Sequence, residues 1–184
     1  MKTLTAPSCF VLSACLFAGL SIAQAAEPAK GLSLQPDSRN RDVVAIVGSQ
    51  RKPLLLWKVA SIKGPIQGQS LIADSGPGQE RYILLSVDSR SGTGPADGAC
   101  GKGVETDLIW LALNDKLEVR KNDTYRIASC LELLEGLKRE DQPDGSVRVT
   151  LVRPARGGEP SRNVTVRYDA ADAAQGLQVH DRVN

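Results

Sequence analysis

The stretch TDLIWLAL, Thr106–Leu113, decides the fold. Read as an extended strand, it puts Leu108, Trp110 and Ala112 on one face and Ile109, Leu111 and Leu113 on the other, because successive side chains alternate. A strand apolar on both faces is a central one, covered on both sides. Outward from it, short apolar or alternating runs are separated by Gly, Pro, Asn and Asp. The expected strands are Val43–Val47, Leu54–Ile62, Gln69–Ala73, Arg81–Val87, Thr106–Leu113, Leu117–Arg120, Tyr125–Leu134, Ser146–Arg153, Arg162–Tyr168 and Leu177–His180. Turn signals recur about every ten residues, the spacing of an all-β sandwich or barrel.

The turns have their own chemistry. Asn114-Asp115 reads as a short hairpin, and Asn122-Asp123 as a second reversal. In Gln142-Pro143-Asp144-Gly145 the proline fixes φ and the glycine accepts a positive φ. Ser146–Arg153 alternates, with Val147, Val149 and Leu151 inward and Arg148 and Thr150 outward. Leu131–Arg139 suits a short helix nearly as well as a strand, and Gly136 favours the strand. One helical turn is expected at Ala170–Ala174, capped by Asp169 and ended by Gly176. The expected fold is therefore all-β, a mainly antiparallel sandwich or barrel-like sheet with one short helical turn near the C-terminus.

Ahead of this domain, residues 1–25 read as an export signal: Lys2, an apolar run from Cys9 to Ile22, then the small-x-small site Ala23-Gln24-Ala25. Leu12-Ser13-Ala14-Cys15 has the form of a lipoprotein box, which would acylate Cys15 and tether the chain to a membrane. The apolar run continues past it through Leu16, Phe17, Leu20 and Ile22, which favours the soluble, cleaved form. Residues 26–42, with two prolines and no period, read as a flexible leader, and 43–184 as a single β domain. The expected location is periplasmic or secreted.

Composition narrows the function. With the signal removed, 22 basic side chains face 21 acidic ones, a balance unlike that of a nucleic-acid binder. Both phenylalanines lie in the signal, so the core rests on Val, Leu, Ile and Ala around Trp57, Trp110, Tyr82, Tyr125 and Tyr168. Cys9 and Cys15 leave with the signal, and Cys100 and Cys130 remain as an even pair in an exported chain, which reads as a disulfide. Closing a loop of about 30 residues contributes on the order of 3–4 kcal/mol in the chain-entropy picture. The rival reading, a catalytic thiol, needs a base, and the sole histidine is His180, read as a solvated residue near the terminus. One histidine and a disulfide do not furnish a zinc site. No catalytic set, metal site or cofactor is called for.

Two surfaces stand out. DSRSGTGPADGACGKGVETD, Asp88–Asp107, is a glycine-rich loop leading into the central strand. Its glycine and lysine spacing misses the phosphate-loop pattern, and its acids Asp88, Asp97, Glu105 and Asp107 miss the EF-hand order, so solvated acids outweigh a Ca²⁺ site. Long loops on a rigid sheet collect recognition residues, and Arg90, Asp97, Lys102 and Glu105 are the expected binding residues. The second surface is a set of arginines, including Arg148 and Arg167 at outward positions of a hairpin, suited to an acidic partner. Charges that keep a sheet face soluble and blunt its edges are the plainer explanation.

Cys100-Gly101-Lys102-Gly103-Val104-Glu105, then Ser129-Cys130, then Tyr168-Asp169 and Gly176-Leu177, resemble a group of exported proteobacterial β-rich proteins over residues 82–179. The group is loosely similar to periplasmic lysozyme inhibitors and immunity proteins. The resemblance implies a secreted β-domain with a disulfide-pinned loop. The expected function is protein binding, as an inhibitor or immunity protein against a cell-wall hydrolase or toxin. The alternative is a non-catalytic structural or accessory envelope protein.

Overall fold

The computed structural model describes residues 31–37, 40, 43–48, 50–62, 64–76, 78–91, 100, 103–132 and 134–184. The expected signal lies outside them. Among the described residues, eleven strands form three antiparallel sheets. The first holds β1 (Ser33–Pro36), β2 (Val43–Val47) and β3 (Arg51–Leu55) in that order. The second holds β4 (Ile66–Asp74), β5 (Glu80–Arg90), β6 (Val104–Asn114) and β7 (Val119–Ala128), also in chain order. The third runs β11-β10-β9-β8, with β8 at Glu135–Asp141, β9 at Val147–Arg153, β10 at Arg162–Tyr168 and β11 at Gln178–Val183.

The central strand read from TDLIWLAL is β6, and its two faces belong to two different cores. Ile109, Leu111 and Leu113 pack with Ile83, Leu85 and Val87 against Val44, Ile46 and Leu54 of the first sheet. Leu108, Trp110 and Ala112 pack against Val149, Leu151, Val164, Val166 and Tyr168 of the third. The second sheet is thus the shared middle layer. Each fully buried Leu or Ile contributes roughly 1.5–3 kcal/mol, so β6 is anchored from both sides. Trp110 also donates its indole N–H to the Ala173 carbonyl at 2.8 Å, latching a 3-10 turn, Ala170–Gln175, onto the middle layer. Asp169 caps that turn by accepting from the Ala171 N–H, as expected. Gly176 ends it at φ 72°, where an added Cβ would also press on the Trp110 ring at 3.4 Å.

Several expectations are corrected. Within the stretch read as a leader, Ser33–Pro36 is a strand, with Leu34 opposite Ile46. Leu32 is buried beside it in the first core, so alternate apolar residues dock what the prolines disguise. Pro36 is tolerated because β1 is an outer strand. The strand expected over Leu54–Ile62 stops at Leu55, where a single helical turn, Leu56–Val59, buries Leu56 and turns Trp57 to solvent. Asn122-Asp123 makes no reversal. Both lie in mid-strand in β7, opposite Leu111 and Trp110, and the Asn122 amide donates to the Val59 carbonyl at 2.5 Å. β7 is an outer strand, which is why a polar run is accommodated there. The ambiguous Leu131–Arg139 segment becomes a strand only from Glu135.

Candidate functional sites

β5 and β6 run side by side without a register break from Glu80–Asn114 to Arg90–Val104. The expected loop is therefore shorter than read: Asp88 and Asp107 are ladder residues, and the connection spans 91–103. Its ends are clamped together. The Ser91 N–H donates to the Gly103 carbonyl at 3.0 Å, and the Gly103 N–H donates to the Cys100 carbonyl at 3.0 Å. Cys100 and Cys130 are bonded, with Cα atoms 5.6 Å apart. Only glycine fits at 103, because a Cβ would stand 2.6 Å from the Cys130 Cβ.

Beneath this clamp lies a group of buried charges. Glu105 and Asp107 are 3% and 2% exposed, and alternation puts them on the β6 face that carries Ile109 and Leu111. Arg126, opposite Asp107 on β7, grips both. Its Nε and Nη2 donate to the two Asp107 oxygens at 3.1 and 3.2 Å, and its Nη1 lies 3.3 Å from Glu105 Oε2. Glu105 Oε1 accepts from the Ser91 hydroxyl at 2.5 Å and the Cys130 N–H at 3.1 Å. One carboxylate thus holds the start of the loop, the disulfide and the middle sheet.

The two acids are pushed apart in acidity. Burial raises the Glu105 carboxyl, but hydrogen bonds from Ser129, Ser91 and Cys130, helped by the Arg126 charge, outweigh it and leave it below its ordinary value. At Asp107 burial prevails over Arg126, and the neighbouring charges of Glu105 and Glu132 add to it, so its carboxyl is raised. Such a split marks many acid–base sites. Here both carboxyls are sealed from solvent and spent on internal partners, which defines a structural clamp.

The expected binding residues fare differently. Arg90 is exposed at the end of β5, with its backbone N–H bonded to the Pro65 carbonyl at 3.0 Å. Asp97 and Lys102 lie outside the described residues. Glu105 is a correction: it faces inward and supports the loop from below instead of meeting a partner. Its parity with Ile109 and Leu111 was the sequence signal for that. Of the acids weighed as Ca²⁺ ligands, Asp88 accepts from the Thr106 hydroxyl at 2.8 Å, and Asp107 is held by Arg126. Among the described residues no group of three or more His, Cys, Asp or Glu is placed to hold a metal ion, and no helix is long and apolar enough to cross a membrane.

The arginine surface is the outer face of the third sheet. Arg148 and Arg167 stand directly opposite each other on β9 and β10, with Thr150 opposite Thr165 in the next outward-facing row. β11 continues both later rows, His180 opposite Thr165 and Arg182 opposite Asn163. His180 is thus a strand residue, exposed but fixed in the ladder. Together these side chains line an open groove of about 570 Å³. Of the acids near its Arg148 end, Glu140 on β8 stands opposite Arg148 and interacts with its charge. Each of these acids also serves another group. Glu140 contacts Lys138 at 2.7 Å, Asp144 accepts from the Ser146 N–H, and Asp169 caps the 3-10 turn.

Fold and sites define an all-β protein of three layered antiparallel sheets, with a disulfide-pinned connection at one end of the middle sheet and a cationic groove on the third. No family model matches the chain, no curated protein matches it, and no solved structure matches it.

Proposed function

We propose that this chain is an exported, non-catalytic protein-binding module, acting as an inhibitor or immunity protein against a cell-wall hydrolase or toxin. The observation that carries the reading is the clamping of the 91–103 connection onto the β5–β6 ladder by Glu105, the Ser91–Gly103 hydrogen bond and the disulfide. A connection held at its base loses less conformational freedom when it meets a partner, and Arg90 stands at its root. Asp97 and Lys102 complete the recognition set. The resemblance of the Cys100–Glu105 segment to exported β-rich proteins points the same way.

The test is affinity capture from periplasmic extract with the mature chain and its Arg90→Ala/Asp97→Ala variant. A stoichiometric hydrolase or toxin retained by the first and lost by the second supports the module. Absence of any stoichiometric partner favours an accessory envelope protein instead.

A further inference from the structure

We propose that the outer face of the third sheet is a second recognition site, one that takes an extended acidic segment of a partner protein. The inference rests on the binding-module reading and deepens it by naming the partner's chemistry. The cations of this sheet fall into two sets. Arg139 pairs with Asp141, Arg162 with Asp181, Lys138 with Glu140, and Arg153 with Glu132. Arg148, Arg167 and Arg182 form no close ion pair among the described residues, although Glu140 stands opposite Arg148 and interacts with its charge. All three line one groove.

Two of the three also face each other. Like charges directly opposite across a ladder are destabilising. Glu140, opposite Arg148 on β8, offsets part of that repulsion, whereas Arg167 has only the neutral Gln178 on its other side. Edge protection does not explain them, because β9 and β10 are the inner strands of their sheet. Solubility requires charge, and it is met equally well by paired residues such as those of β8.

The spacing selects the occupant. Arg182 lies opposite Asn163, four residues along β10 from Arg167. At about 3.4 Å per residue this separates the two cationic ends by roughly 14 Å. Carboxylates four residues apart on an extended chain have the same separation, and alternation points both to the same side. Guanidinium forks grip carboxylates in bidentate fashion. The floor between the ends offers the Thr150 and Thr165 hydroxyls and the His180 imidazole to an incoming backbone. Neither Trp nor Tyr lines the groove, so it lacks the broad aromatic face on which a sugar ring or a run of bases stacks, and His180 is its one ring. A polypeptide fits these features better than a nucleic acid or a glycan.

The probe is a fluorescein-labelled nonapeptide of alternating glutamate and threonine, titrated by anisotropy at low and at physiological ionic strength. The peptide should bind, and more weakly as salt rises. Arg148→Glu/Arg167→Glu should lose about tenfold or more in affinity, and Arg182→Glu somewhat less. Arg148→Gln/Arg167→Gln should fall between the wild type and the reversed pair. Arg120→Glu, an exposed change on β7, should leave the titration unchanged, and melting curves confirm that every variant is folded. Three results overturn the proposal: no binding at low ionic strength, an equal loss in Arg120→Glu, or tighter binding of a uronate oligosaccharide of matched charge. A natural partner captured through Arg90 without any peptide binding would sink this site and leave the module standing. Peptide binding without such a partner would do the reverse.

Discussion

Arg126 stands against two buried carboxylates, whereas Arg148 and Arg167 stand against each other in solvent. The same residue type serves opposite ends. Around Glu105 and Asp107 water is excluded, so every charge must be met by another charge or a hydrogen bond, and the cluster is close to self-sufficient. On the outer face of the third sheet, water screens the cations, and the sheet tolerates a local surplus that an incoming acid can use. An uncompensated charge in the interior would be a defect. On this surface it marks where something else is expected.

The largest effect should follow from breaking the buried side of this pair. Arg126→Met leaves Glu105 and Asp107 buried without their cation and should lower unfolding stability by about 3–5 kcal/mol, read from the urea midpoint. A loss under about 1 kcal/mol would mean that the two carboxylates are wetter than their 2–3% exposure says, water reaching them past the partly exposed Arg126. Replacing Cys100 and Cys130 by Ser should remove on the order of 3 kcal/mol, since the bridge closes a sequence separation of 30. Free thiol reactivity in the native protein would count against the bridge.

Acidity sharpens the comparison within the buried cluster. Glu105, lowered on folding, adds stability that is present above its unfolded value and disappears as pH falls through its folded one. Asp107, raised on folding, works the other way: stability declines as pH climbs from its unfolded value through its folded value. Urea midpoints between strongly acidic and neutral pH should separate the two. Glu105→Gln should blunt the loss on acidification, and Asp107→Asn should remove the decline on the rising side. Identical profiles in both variants would refute the assignment. The smallest effect belongs to the open face, where Arg148→Gln/Arg167→Gln should change stability by no more than about 0.5 kcal/mol.

Much of this contrast could be read from the chain. The alternation in TDLIWLAL placed β6 between two cores, and the period of Val147, Val149 and Leu151 put Arg148 outward. The Asp169 cap and Gly176 stop located the 3-10 turn because both act within one turn of backbone. Other features depend on distant contacts that no local pattern carries. Ser33–Pro36 becomes a strand because the first core accepts Leu32 and Leu34. Asn122-Asp123 stays extended because β7 is bound along β6, which overrides the local preference of those residues for turns. At the site, Glu105 reads as a loop acid from its glycine-rich neighbours, and only its parity with Ile109 and Leu111 marks it as inward-facing. Its partner Arg126 lies 21 positions away and meets it only through strand pairing.

The most direct test of the division between spent and available charge is one further urea midpoint, that of the triple variant Glu105→Gln/Asp107→Asn/Arg126→Met. If the three side chains form a closed, mutually neutralising unit, removing them together should restore a substantial part of the stability lost by Arg126→Met alone, because no uncompensated charge remains buried. A triple variant less stable than Arg126→Met would contradict that account, since the hydrogen bonds that Glu105 accepts from Ser91 and the Cys130 N–H would then outweigh its charge balance with Arg126.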